Sequence, residues 1–129
     1  ITPHPLEAAR LLRRDQVDPD RLTVACQLQS EYGAVVVLKG AATLVASDTG
    51  IAINIMGGPA MATAGMGDVL SGLLGALLAQ GQPLSRAAEL VVAHHGRAAQ
   101  MATAQQGEVG LLARDVARHV GRSLSGMTL

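Results

Sequence analysis

Apolar residues recur at helical spacing from Leu6 to Arg14 and again from Arg21 to Tyr32. In the second stretch Leu22, Ala25, Cys26 and Leu28 are expected on the inward face, with Gly33 as C-cap. Before them, Ile1-Thr2-Pro3-His4-Pro5 reads as the end of an extended segment, because each proline biases its predecessor away from helix. Ala34 to Leu38 is a continuous, mostly β-branched run of the kind buried in a parallel sheet. Thr43–Ala46 and Ile51–Ile55 bracket Ser47-Asp48-Thr49-Gly50, which predicts a hairpin or a pair of short strands. A glycine-rich loop follows, and then helical patterns over Asp68–Gln80, Leu84–Gln105 and Leu112–Ser123, separated by Gly81-Gln82-Pro83 and by Gly107–Gly110. This order predicts an α/β layered domain over residues 1–129. The strands are too few for a complete doubly wound sheet covered on both faces. That points to a partial domain, the second half of a larger one, or to a sheet covered by partner chains in a homo-oligomer.

Composition narrows the field. The chain is 49% hydrophobic with a single aromatic residue, Tyr32, so its core is built from Leu, Val, Ile, Ala and Met. Ten basic and ten acidic residues balance, and no basic block stands out. Nucleic acid is therefore not an expected partner, since its affinity rests on neutralising phosphates. One cysteine, Cys26, rules out an internal disulfide and fits a cytoplasmic setting; on an apolar helix face it reads as core. The longest apolar stretch, Val69–Ala79, is too short to span a bilayer and is interrupted by Ser71, Gly72 and Gly75, so no membrane partner is expected.

The candidate chemistry gathers at two places. Thr63-Ala64-Gly65-Met66-Gly67-Asp68 leads directly into an apolar helix. Two glycines leave bare backbone where unpaired N–H groups and the positive end of the helix dipole attract an anion such as phosphate. Asp68 stands at that turn as a potential base, and a cradle with a base beside it suits phosphoryl transfer to a hydroxyl. Asp is also a common helix N-cap, and Gly a common turn residue. The length of the small-residue loop from Gly57 to Thr63 favours a ligand over a mere cap. The loop is neither a Walker A sequence nor a Rossmann fingerprint. The second place is Leu38-Lys39-Gly40-Ala41-Ala42-Thr43: Lys39, the only lysine, follows a buried strand, where α/β sheets hold their ligands. It could equally be a solvated charge closing that strand.

The histidines offer less. His4, held between prolines, could hydrogen-bond a substrate or cap the helix that follows it. Of His94 and His95, adjacent on a helix, one is expected to pack rather than to bind a ligand, and His119 is expected at the surface. No Cys/His set has zinc spacing, and Ser71 and Ser85 belong to no triad-like arrangement.

With these pieces in order, the chain resembles the ADP-dependent NAD(P)H-hydrate dehydratases, members of the ribokinase-like superfamily. The resemblance rests on Thr2-Pro3-His4-Pro5-Leu6-Glu7-Ala8-Ala9-Arg10-Leu11-Leu12, on Val35-Val36-Val37-Leu38-Lys39-Gly40-Ala41-Ala42-Thr43, and on Pro59 to Gly72 with its Met61-Ala62-Thr63-Ala64-Gly65-Met66-Gly67-Asp68 centre. Ala93-His94-His95-Gly96 and Gly110 to Asp115 add weaker support. It implies a three-layer α/β/α domain, of which this chain would be the C-terminal half. It also implies dehydration of the S epimer of hydrated NADH or NADPH, driven by ADP (ATP in some relatives) with magnesium bridging the phosphates. Asp68 would then be the base and touch the hydrate, His4 would also contact it, and Gly65, Met66 and Gly67 would hold the transferred phosphoryl group. Lys39, Gly40, Ala41, Ala42 and Thr43 would line the nucleotide site together with Gly67. An N-terminal epimerase domain in the full-length protein is compatible with this reading.

The chain departs from the family pattern in three places: Leu6 and Ala42 replace customary glycines, and Gly58-Pro59-Ala60 replaces Asn-Pro-Gly. Two other readings share the glycine-rich turn, a small-molecule kinase of the same superfamily and a nucleotide-binding domain without catalysis.

Overall fold

The computed structural model describes residues 1–125 and divides into two compact units, Ile1–Asn54 and Ile55–Leu129. In the first, α1 (Pro5–Leu11) and α2 (Arg21–Tyr32) precede β1 (Val36–Leu38), β2 (Thr43–Ser47) and β3 (Gly50–Asn54). The three strands form an antiparallel sheet in the order β1-β2-β3, with Val37 opposite Val45 and Leu44 opposite Ile53. Ser47 pairs with Gly50, which leaves Asp48-Thr49 as a two-residue hairpin turn.

The parallel sheet expected around Val36 is therefore only half realised. β1 and β2 are antiparallel because the chain returns directly through the tight Lys39–Ala42 loop, with no crossover helix between them. On its other side β1 does have a parallel neighbour. The N–H of Val37 donates to the Ile1 carbonyl at 2.8 Å and that of Lys39 to the Pro3 carbonyl at 2.9 Å, while the Ile1 nitrogen donates to Val35 O at 2.8 Å. Strand side chains alternate, so Val36, Leu38, Leu44 and Ala46 face one way and pack with Ala8, Val24, Ala25 and Leu28 of the two helices. Val37 and Val45, on the opposite face, are also buried.

Local signals explain the helix limits. Asp20 caps α2 by accepting from Thr23 N–H at 3.1 Å, and Gly33 ends it in the left-handed conformation at φ 58°. The inward line of α2 is Val24, Ala25 and Leu28; Cys26 lies a further 100° or so around the helix and is exposed, as is Leu22. Both were expected inside, and the apolar face is narrower than the sequence suggests. Helix α1 stops at Leu11 instead of Arg14. Arg13 turns left-handed at φ 55°, and Arg14 N–H reaches back to Ala9 O at 2.8 Å, closing a Schellman motif with arginine in the place usual for glycine.

The second unit holds a short 3₁₀ turn at Pro59–Met61, then α3 (Met66–Ala79), α4 (Leu84–Gln106) and α5 (Ala113–Leu124). Helix α4 packs against both α3 and α5. Ala98, Ala99 and Ala102 of α4 meet Met66, Leu111 and Val116 in a core of small residues. Three alanines on one face let α4 approach its neighbours closely, which a chain nearly free of aromatics needs to reach interior packing density. No described helix is long and apolar enough to cross a membrane.

Candidate functional site

In the first unit, the chain between β1 and β2 is a loop of four residues whose shape is forced by its backbone. Gly40 sits at φ 139°, which side-chain-bearing residues avoid, and Ala42 sits at φ 52°, the left-handed region. Thr43 Oγ1 donates to Gly40 O at 3.0 Å and closes the turn. Beneath it lies a residue the sequence reading passed over. Arg21, the first residue of α2, donates through Nη1 to the carbonyls of Ala41 and Ala42, and through Nη2 to Leu38 O at 3.1 Å and Lys39 O at 3.3 Å. A signal was present: a cation in the first turn of a helix opposes the helix dipole and needs another reason to be there.

His4 and Lys39, predicted separately, are brought together by Glu7. His4 is the N-cap of α1: its Nδ1 accepts from Glu7 N–H at 3.2 Å, while the His4 N–H donates to Glu7 Oε2 at 2.6 Å. This reciprocal capping box leaves the ring proton on Nε2, which lies 3.4 Å from Glu7 Oε1. Lys39 Nζ is 3.6 Å from Glu7 Oε2. The backbone hydrogen bond from His4, helped by the Lys39 charge and opposed by partial burial, holds the Glu7 carboxyl below its ordinary value. The capping role considered for His4 is thus realised. Its remaining ring nitrogen belongs to a half-buried side chain at the strand end.

The second unit carries the other cluster. Helix α3 begins at Met66, two residues before the start expected from sequence, so Asp68 is its third residue and not its cap. The cap is Gly65, in the left-handed region at φ 85°, and it contributes no side chain to the helix end. The N–H groups of Asp68 and Val69 both donate to Gly65 O at 3.1 Å. Those of Met66 and Gly67 donate to no acceptor among the described residues. The Asp68 side chain is exposed and likewise makes no hydrogen bond or ion pair among them. A β-carbon on Gly65 would lie 3.1 Å from Ala113 Cβ, the first residue of α5, so this glycine serves packing as well as backbone shape. The loop before it is anchored by α4, with Gln100 Nε2 donating to Gly57 O at 3.3 Å.

The remaining candidates sort by burial. His95 is buried in α4 at 4% exposure, and burial pushes its pKa down to about 4, so it is neutral near pH 7. His94 is half-buried beside it. His119 is not free at the surface as expected: its Nδ1 lies 2.8 Å from Asp115 O and its Nε2 2.9 Å from the Gln105 side-chain oxygen. No three His, Cys, Asp or Glu residues gather into a metal-binding group among the described residues.

Solved structures share this architecture. An ADP/ATP-dependent NAD(P)H-hydrate dehydratase from Bacillus subtilis, co-crystallised with ATP and Mg2+ and soaked with CoA, superposes over 95% of this chain and 46% of its own, with TM-score 0.87 and 29% identity. A ribokinase-like superfamily protein from Enterococcus faecalis V583 matches over 95% of this chain and 43% of its own, with TM-score 0.81 and 26% identity. The fold is thus a ribokinase-like α/β fold.

The model of the NAD(P)H-hydrate dehydratase family matches residues 1–122, and the chain belongs to that family. Among its relatives, a bifunctional NAD(P)H-hydrate repair enzyme of Vibrio cholerae is 51% identical over 97% of this chain and 26% of its own length. An ADP-dependent (S)-NAD(P)H-hydrate dehydratase of Neisseria meningitidis is 49% identical over 91% of this chain and 41% of its own. The chain therefore spans well under half the length of these two relatives.

Proposed function

We propose that the protein carrying this chain dehydrates the S epimer of hydrated NADH or NADPH at the expense of ADP, restoring the reduced cofactor and releasing AMP and phosphate. The observation that carries this reading is the open start of α3. Met66 and Gly67 present N–H groups with no acceptor, and the exposed, unpaired carboxylate of Asp68 stands beside them. Oriented backbone donors stabilise negative charge as it develops on a moving phosphoryl group, and an unpaired carboxylate can accept a proton. The Bacillus relative, an ADP/ATP-dependent NAD(P)H-hydrate dehydratase, and the Neisseria relative, an ADP-dependent (S)-NAD(P)H-hydrate dehydratase, support the substrate and the nucleotide.

In this reading Asp68 takes the proton of the hydrate's hydroxyl as its oxygen attacks the terminal phosphorus of ADP. The bond to AMP breaks, and the N–H groups of Gly65, Met66 and Gly67 hold the phosphoryl group in transit. Loss of that phosphate, with a proton from the adjacent ring carbon, restores the double bond. Lys39 to Thr43 and Gly67 hold the nucleotide, and His4 and Asp68 hold the hydrate, with the His4 Nε2 proton as donor. Among the described residues no group of three His, Cys, Asp or Glu would cage it, so magnesium would be carried in by the nucleotide's phosphates, as that ion commonly is. Residues 1–129 would act as parts of one catalytic domain, in a cytoplasmic homo-oligomer. Supporting an assembly, Ile53 on the edge strand β3 is 57% exposed. A second catalytic function on the same polypeptide, that of an epimerase, would accord with the bifunctional relatives.

The test is to supply ADP, Mg2+ and hydrated NADH and follow the reduced nicotinamide together with AMP and phosphate. Asp68→Asn is expected to lower turnover by about 10²-fold or more while leaving ADP affinity within a few fold. A stable phosphorylated product would indicate a kinase. Normal turnover by the Asn variant would remove Asp68 from the base's role.

A further inference from the structure

We propose that Arg21 is a positioning residue for nucleotide binding: its guanidinium fixes the Lys39–Ala42 loop so that backbone N–H groups, not carbonyls, face the ligand. This rests on the nucleotide-binding role proposed for that loop.

The argument is one of peptide geometry. The two terminal nitrogens of Arg21 collect the carbonyls of Leu38, Lys39, Ala41 and Ala42. The peptide bonds of the described residues are all trans, and in a trans peptide the C=O and the following N–H point in opposite directions. Drawing those carbonyls onto one cation therefore turns the N–H groups of Lys39, Gly40, Ala42 and Thr43 away from it. Lys39 N–H is used by the sheet, at 2.9 Å from Pro3 O. Those of Gly40 and Ala42 donate to nothing among the described residues and are available to an anionic or carbonyl-bearing ligand.

A second, independent feature fits the same purpose. A β-carbon on Gly40 would come 3.1 Å from Arg21 Nη2, so glycine is needed both for its φ of 139° and to let the guanidinium slide under the loop. Lysine could not substitute for arginine here. A planar fork with several fixed donors spans carbonyls on both sides of the turn, whereas an ammonium is a single point on a flexible stem. The exposed loop would otherwise be free to rotate its peptides, and an anion would meet carbonyl oxygens as often as N–H groups. Arg21 itself does not touch the nucleotide in this scheme; it acts through the loop.

The experiment combines ADP titration calorimetry with hydrogen exchange over residues 39–43 in the protein carrying this chain. Arg21→Lys keeps the charge but not the fork. It is expected to weaken ADP about tenfold and, at saturating ADP, to reduce the slowing of exchange that the bound nucleotide brings to the exposed Gly40 and Ala42 N–H groups, while exchange in β2 and α2 stays as in the wild type. A purely structural arginine would slow neither loop exchange nor ligand release selectively, and its loss would raise exchange across the whole sheet. Should Arg21→Lys not fold, Gly40→Ala disturbs the same contact from the loop side and is expected to weaken ADP comparably. Protection of Gly40 and Ala42 by saturating ADP that is as strong in Arg21→Lys as in the wild type would overturn the inference. So would unchanged ADP affinity in Arg21→Lys under conditions where Lys39→Ala loses it, and that pattern leaves the nucleotide role of the loop intact. A wild-type protein that binds no ADP would remove that role, and this inference with it.

Discussion

Alanine at position 96 tests how tightly the second unit is built around its glycine-rich segment. Gly96 is buried in α4, and a β-carbon there would lie 2.6 Å from the carbonyl carbon of Met56, 2.7 Å from its oxygen and 2.8 Å from its Cβ. Comfortable carbon contacts begin near about 3.5 Å, so helix and segment must part by close to an ångström. Two of the three atoms are backbone, and no rotamer change relieves them. Overpacking of this kind costs about 1–3 kcal/mol. Against it stands a gain of roughly 0.5–1 kcal/mol from replacing glycine inside a helix. Taking the upper part of the cost, Gly96→Ala is expected to destabilise by about 1–2 kcal/mol net.

The matched control is Gly121→Ala in α5, an exposed site with no atom within 4 Å of the added carbon. There only the helix gain applies, and stability should rise by about 0.5–1 kcal/mol. Chemical denaturation of the two variants beside the wild type reads both signs. Equal stabilisation by the two alanines would show that α4 does not press on Met56, and the reasoning would fail. The consequence for chemistry is direct, because Met56 opens the segment that runs to Gly65 and the bare end of α3.

His95 is neutral when folded, with a pKa near 4 against 6.5 in the unfolded chain, so between those values the unfolded chain binds more protons and stability falls as pH drops. The loss should approach about 3 kcal/mol by pH 4; His95→Leu should flatten that window, and a wild-type stability flat from pH 6.5 to 4 would refute it. Glu7, Asp20 and Asp115, each held below its ordinary value by hydrogen bonds, lose their contribution as pH falls below 4.5 for Glu7 and 3.8 for the two aspartates, so only Glu7 overlaps the acid end of that window. Ala42, with φ at 52°, occupies a conformation that costs a side-chain-bearing residue about 1–2 kcal/mol, part of which glycine would return through unfolded-state entropy. Ala42→Gly should therefore stabilise by up to about 1 kcal/mol, read as a raised melting temperature; a lowered one would show that the loop does not strain this residue.

What the sequence revealed and what it hid divide along a physical line. Elements with chemical punctuation were legible. Arg21–Tyr32 was placed to the residue because Asp20 and Gly33 mark its ends, and the Ser47–Gly50 turn because its polar residues and glycine can do little else. Boundaries without such marks were missed. Helix α1 ends at Leu11 because Arg13, two residues on, turns left-handed though nothing in an arginine announces it, and α3 starts at Met66 because Gly65, not Asp68, is the cap. The direction of β2 was hidden for a similar reason: an apolar run shows burial on both faces but not which way its neighbours travel. Among candidate residues, those carried by motifs were legible as candidates. Glu7 and Arg21 were not, because their importance lies in what they hold.

The two loops leave backbone N–H groups without an acceptor by different means, and the difference explains their sequences. At α3 the donors exist because a helix must begin somewhere, and the only requirement is that nothing else satisfies them. Gly65 meets it by capping with backbone alone, where the serine or aspartate usual at that position would occupy the N–H groups of the first turn. The Lys39–Ala42 loop has no helix to orient its peptides, so an external cation must do so, and Arg21 supplies it from the start of another helix. The first loop therefore depends on the absence of a side chain and the second on the presence of one. It follows that Gly65→Ser would damage an anion site by straining the φ of 85° at which the helix begins and by crowding Ala113, whereas removing Arg21 would damage one by releasing it.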